Sequence, residues 1–182
     1  MAGRGLAAFA FLLCLLVQPA HAATLREGHS AFLREDYARA ARILIPLAQR
    51  GDATAQGYVG HMFETGRGVP QNYTEAAYWY RRAAEQGNPA AQYSLGLLYD
   101  KGYGVREDPV EAGKWLNLST SRASPRARDH HARIRDAVAT KMTRGQIAES
   151  RRRALEWYPQ PEPRAVGAHA ADATVSPMIR LK

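Results

Sequence analysis

The chain has 182 residues, 46% of them apolar and 23% charged, with 25 Lys and Arg against 17 Asp and Glu for a formal net charge of +8. That length and apolar fraction suit one domain with an ample core. No internal stretch supplies the roughly 20 continuous apolar residues of a membrane span, and the single cysteine forms neither an internal disulfide nor a thiolate cluster. A multi-pass membrane protein, a disulfide scaffold and a zinc ribbon are thereby excluded.

The first residues read as a targeting segment. Arg4 gives a basic start, Leu6 to Val17 is a run of twelve apolar residues, and Ala20-His21-Ala22 has the A-x-A form of a cleavage site. This is the order of parts in a secretory signal, so residues 1–22 are expected to be removed after Ala22. Twelve apolar residues are too few for an anchor. Phe11-Leu12-Leu13 lacks the small residue a lipoprotein signal places before its cysteine, here Cys14. Cleavage removes the only cysteine and leaves a mature net charge of +7.

An internal repeat dominates the middle of the chain. Gly51, Ala55, Gln56, Gly60, Gly66, Gly68, Val69, Glu75, Ala76 and Trp79 recur 36 residues later as Gly87, Ala91, Gln92, Gly96, Gly102, Gly104, Val105, Glu111, Ala112 and Trp115. A gap-free period of that size marks a stacked solenoid. Tyr37, Ala40, Ala41 and Ala48 match Tyr73, Ala76, Ala77 and Ala84, so a more divergent unit precedes the two clear ones.

Each unit reads as two helices. Asp52 and Asn88 cap the first, the latter followed by Pro89, which suits a first helical position. Ala55, Val59, Met62, Phe63 and Ala91, Leu95, Leu98, Tyr99 have helical spacing. Gly66 and Gly102 end those helices in the left-handed conformation. Asn72 and Asp108 cap the second helices, with Glu75 and Glu111 as capping-box partners. Ala76, Trp79 and Ala83, and in the next unit Ala112 and Trp115, form the buried stripes. Gly60, Gly96, Ala76 and Ala112 allow close helix approach.

These motifs resemble the Sel1-like repeat family, relatives of the tetratricopeptide repeat. They are AQGYVG at 55–60 and AQYSLG at 91–96, Gly-x-Gly-Val at 66–69 and 102–105, and Glu-Ala-x-x-Trp at 75–79 and 111–115. The resemblance implies an all-α, right-handed α-solenoid of stacked helix-turn-helix units, first helices lining a concave face, and a role in protein binding. The expected organisation is a signal (1–22), a divergent helix pair (23–50), repeats at 51–86 and 87–122, a basic helical cap (123–158) and a disordered tail (159–182).

In the cap, Ser124-Pro125 begins one helix through His130, Ile134 and Val138. Thr143 and Gln146 form a capping box for the next, with Met142 and Ile147 as its hydrophobic staple. Lys141 to Trp157 is similar to the closing segment of exported bacterial Sel1 proteins, and a solenoid end needs such a cover. That resemblance points to the periplasm of a Gram-negative bacterium.

No catalytic, metal or cofactor site is expected. Gly66-x-Gly68 and Gly102-x-Gly104 follow no strand and continue as no nucleotide fingerprint, so they are turns. His130 and His131 are adjacent, about 100° apart on a helix, whereas two ligands on one face want a spacing of three or four. Glu75 and Glu111 are repeat-equivalent caps, and Trp79 and Trp115 recur as core. No triad or nucleophile elbow is present. Some cysteine-rich secreted members of the family are linked to penicillin binding or β-lactam hydrolysis, but this chain departs from them in having no cysteine after residue 22; an uncharacterised hydrolase stands as the third alternative.

Two surfaces are candidates for binding. On the first helices, opposite the buried stripes, stand Tyr58, His61, Ser94, Leu97 and Lys101, the expected docking positions for another envelope or periplasmic protein. Residues 118–158 carry ten basic and four acidic groups, +6 of the mature +7. Arg151, Arg152 and Arg153 would be the contacts of an alternative mode on anionic lipid or polysaccharide. No nucleic acid partner is expected of an exported chain.

Overall fold

The computed structural model describes residues 18–162, with side chains from Thr24 onward. Among the described residues there are eight helices and no strand. In order they are α1 (Gln18–Leu33), α2 (Tyr37–Gln49), α3 (Ala53–Thr65), α4 (Tyr73–Glu85), α5 (Pro89–Lys101), α6 (Pro109–Arg122), α7 (Pro125–Ala139) and α8 (Arg144–Leu155). None is long and apolar enough to cross a membrane. The residues flanking the expected cleavage point lie within α1; residues 1–17 and 163–182 lie outside the described part.

The helix ends follow from single residues. Asp52 accepts from the Ala55 amide at 2.8 Å and Asn88 from the Ala91 amide at 3.0 Å, satisfying amides that the first turn leaves without intrahelical partners. Gly66 and Gly102 close α3 and α5 with φ of 72° and 68°, a left-handed region that costs glycine least. Asn72 and Asp108 each accept from two first-turn amides. The boxes expected with Glu75 and Glu111 are only half formed, because the Asn72 and Asp108 amides donate to the Phe63 and Tyr99 carbonyls at 2.9 and 3.1 Å instead. The box at Thr143 and Gln146 is complete.

Consecutive helices from α1 to α7 pack on one another as a stack of hairpins. The buried stripes are those of the repeat: Ala55, Val59 and Met62 face Ala76, Trp79, Tyr80 and Ala83, with Ala91, Leu95, Leu98, Ala112, Trp115 and Leu116 one unit on. A Cβ added to Gly60 would stand 2.7 Å from the Tyr80 ring, and one on Gly96 2.8 Å from Leu116. These glycines therefore set how closely the paired helices approach. The recurring glutamines tie unit to unit: buried Gln56 donates to the Ala48 carbonyl and buried Gln92 to the Ala84 carbonyl, both at 3.1 Å.

The cap breaks the pattern. Helices α7 and α8 both lie against α6, so they cover the last repeat instead of adding another like it. Beyond α8 the chain turns back across the stack. Trp157 meets Trp115 edge to face at 6.1 Å beneath the Arg122 guanidinium. The Gln160 amide donates to the Glu85 carbonyl at 2.8 Å. The Glu162 carboxylate grips Arg82 with bonds of 2.8 and 2.6 Å and accepts from Gln56 at 3.2 Å. Residues 159–162, assigned by composition to a disordered tail, are thus a strap. A low-periodicity segment is ordered here because it supplies backbone and carboxylate partners to groups 80 residues away.

Candidate functional site

The first helices leave a cavity on their shared face. Its walls are Phe32 from α1, Thr54, Gly57, Tyr58 and His61 from α3, and Asn88, Ala90, Ala91 and Ser94 at the start of α5, with Tyr80 of α4 at its base. It encloses about 310 Å³, the lower end of the range for sites that receive a ligand or a side chain. Small residues create the space and rings shape it. Phe32 packs on Tyr58 at 5.0 Å and on His61 at 5.7 Å, and His29 meets Tyr58 at 5.3 Å.

One carboxylate stands behind this aromatic wall. Tyr80 donates to Glu64 at 2.6 Å, and His61 Nδ1 lies 3.8 Å from the same oxygen. The nearby His61 imidazole holds the Glu64 carboxyl below its usual range, with the hydrogen bond from Tyr80 adding to the effect against partial burial. Burial, and then the neighbouring Glu64 charge, push the Tyr80 phenol up. The pair is a partly buried contact that orients Tyr80.

Three of the five residues expected on this face, Tyr58, His61 and Ser94, come together in the cavity. Leu97 and Lys101 do not. Leu97 is half-buried, and Lys101 is exposed beside Asp100, whose carboxylate it meets at 3.4 Å. The sequence pattern does not point to Phe32 or Tyr80, and to Gly57 only through its mismatch with Tyr93 one repeat on. Phe32 comes from the divergent unit, where the repeat gives no register. Tyr80 comes from a second helix, and Gly57 contributes by lacking a side chain.

Further along the same face, Tyr93 fills the position one repeat after Gly57. Its ring stacks on His131 at 4.4 Å, and its hydroxyl meets His130 Nε2 at 2.9 Å. His131 is buried, with Nδ1 2.6 Å from Ser119 Oγ. Ser119 donates to the Pro89 carbonyl at 2.7 Å, so its oxygen is left to accept from the imidazole. Ser119 is fully buried, which makes this pair a pin between cap and last repeat and no nucleophile. Among the described residues no three His, Cys, Asp or Glu side chains are grouped to hold a metal.

The arginine triplet proves unequal. Arg152 is held by Glu149 and Glu156 at 2.8 and 2.7 Å. Arg153 bridges Glu149 and Glu111, both at 2.8 Å, tying α8 to α6. Arg152, with Arg153, brings the half-buried Glu149 carboxyl down to about 2. Of the three, Arg151 alone is without a carboxylate partner among the described residues. Of the three contacts named for the alternative anionic surface, two thus have their charge balanced within the protein.

Comparison with known proteins bears on the repeats and the fold. The Sel1 repeat model matches residues 53–88 and 89–123. A protective antigen of uropathogenic Escherichia coli strains with an SLR fold superposes with a TM-score of 0.68 at 28% identity, over 75% of this chain and 29% of that one. A Sel1 repeat protein from Oxalobacter formigenes superposes with a TM-score of 0.57 at 29% identity, over 73% and 53%. The chain thus spans under two thirds of either neighbour's length. No curated protein matches the sequence. Sel1 repeats in general mediate protein–protein interaction, and such proteins are typically non-enzymatic scaffolds. This chain carries two Sel1 repeats, at 53–88 and 89–123, within an all-α stack that shares the solenoid fold of Sel1 repeat proteins.

Proposed function

We propose that this protein is a non-enzymatic docking module, an adaptor or regulator, that receives a segment of another protein in the cavity between α1 and α5. The observation that carries this is the ring-walled opening formed by Phe32, Tyr58, His61 and Tyr80 over the small residues Gly57, Ala90, Ala91 and Ser94. Partner hot spots are apolar or aromatic anchors that enter pockets of this kind. The stacked helices hold the walls in place before binding, which lowers the ordering cost of association.

The proposed setting is the bacterial periplasm or envelope. It rests on the basic start, apolar run and A-x-A site within residues 1–22. N-terminal sequencing of chain recovered from a periplasmic fraction tests it; a first residue of Ala23 is expected, and an intact Met1 in the cytoplasm would contradict it.

Crosslinked capture from an envelope extract tests the docking role. The wild-type chain is expected to retain a defined protein that Tyr58→Ala and Gly57→Leu chains lose with unchanged circular dichroism. Equal retention by all three would contradict docking in this cavity.

A further inference from the structure

The structure sorts the cations of the cap into paired and unpaired. Arg135, Lys141, Arg152 and Arg153 each have a carboxylate partner, on Asp136, Asp100, Glu149 and Glu156, and Glu111. Arg122 lies over the Trp157 ring. Arg126, Arg128, Arg133, Arg144 and Arg151 have no carboxylate partner among the described residues. Three of those five are on α7, the helix whose His130 touches Tyr93. Arg126 and Arg133 stand four before and three after His130, positions that share one helical face. Both are exposed, and Asp129 between them pairs with neither. The face that begins as an aromatic cavity on α3 and α5 therefore ends on α7 in two uncompensated guanidinium groups and an exposed imidazole.

Resting on the docking role above, we propose that the partner is a protein segment carrying an apolar or aromatic side chain close to acidic residues. The apolar side chain enters the cavity between Phe32 and Ser94, and the carboxylates reach Arg126 and Arg133. The two parts do different work. The cavity supplies contact free energy that salt leaves largely alone. The α7 cations supply steering and orientation, which ionic strength screens over about 10 Å. Guanidinium is also the group that meets a carboxylate with two parallel hydrogen bonds. On this face a basic segment would meet like charge on α7.

Selection of a displayed random dodecapeptide library on the full chain tests this, run in parallel on wild type, Gly57→Leu, and Arg126→Glu with Arg133→Glu. A Cβ on Gly57 meets only the Asn88 side chain amide, at 3.7 Å, so the leucine fills the cavity without disturbing the helix. Wild type is expected to enrich peptides with Phe, Leu, Met or Trp within a few residues of Asp or Glu. The best of them should bind at least tenfold more weakly to each variant, and more weakly in 300 mM than in 50 mM salt. Enrichment of apolar peptides without acidic residues, lost only on Gly57→Leu, would overturn the acidic partner and leave the cavity standing. Acidic peptides indifferent to Gly57→Leu would overturn docking in the cavity. No enriched peptide, with the chain sedimenting instead with phosphatidylglycerol vesicles, would overturn both.

Discussion

Gly57 and Tyr93 are the same position in successive repeats, and the cavity exists because they differ. Tyr93 carries its ring into the space ahead of α7, where it stacks on His131 and meets His130. Gly57 leaves the corresponding space of the preceding unit open, walled by Tyr58, His61 and Phe32. One side chain thus separates a filled inter-unit contact from a vacant one.

Gly57→Ala tests whether that glycine is there for space or for backbone freedom. Its Cβ has room, and replacing a mid-helix glycine by alanine adds up to about 1 kcal/mol. Thermal melting should show equal or higher stability. Gly60→Ala should do the reverse, losing about 1–3 kcal/mol by overpacking against Tyr80. Destabilisation of both to the same degree would contradict the assignment.

The His131 pin makes the cap sensitive to acid. Desolvation lowers the imidazole pKa from its ordinary value, with the adjacent His130 adding to the effect. The folded state then binds the proton less readily than the unfolded chain. Stability is fully present above about pH 6.5, the unfolded histidine value, and falls as pH drops through that value toward the lowered one. Denaturant midpoints at pH 7.5 and 5.5 should differ for wild type and differ less for His131→Gln. An equal shift in the two chains would remove His131 as the cause.

The strap joins the cap to a repeat two units away, so its loss should be felt at a distance. Arg82 and Glu162 form a two-bond ion pair in which both side chains are about three-quarters covered. Glu162→Gln should cost about 1–2 kcal/mol, the range for hydrogen bonds to charged groups after allowance for partial exposure. Truncation after Tyr158 should in addition speed amide exchange across Gln86 to Asn88. Unchanged exchange there would show that the strap supports nothing.

For the arginine triplet the order of effects is informative. Arg153→Ala removes the only bridge of the three between helices, Arg152→Ala two local pairs with Glu149 and Glu156, and Arg151→Ala no carboxylate pair among the described residues. Exposed ion pairs contribute about 0–1 kcal/mol, so chemical denaturation should rank Arg153 above Arg152 and Arg152 above Arg151. The reverse order would contradict the pairing.

The repeat made the hairpins and their caps legible, because identical residues at a fixed offset carry the same local physics twice. Asp52, Asn88, Gly66 and Gly102 do in the structure what their spacing implies. Tyr58, His61 and Ser94 were reachable by rotating the helix away from its buried stripe. Phe32 and the strap were not, since each acts through contacts between segments whose register no repeat relates. The cavity itself had a faint signal in the sequence, the Gly57 and Tyr93 mismatch, but an absent side chain speaks only once its neighbours are placed. The neutralised arginines were more accessible: Glu149 precedes Arg152 and Arg153 by three and four residues, a spacing that pairs charges along a helix.

The most direct measurement is the dissociation constant of the captured partner for wild-type and Gly57→Leu chains, alongside their melting temperatures. Docking in the cavity predicts at least tenfold weaker binding to Gly57→Leu with the melting temperature unchanged or raised. Equal affinity for the two chains would contradict it.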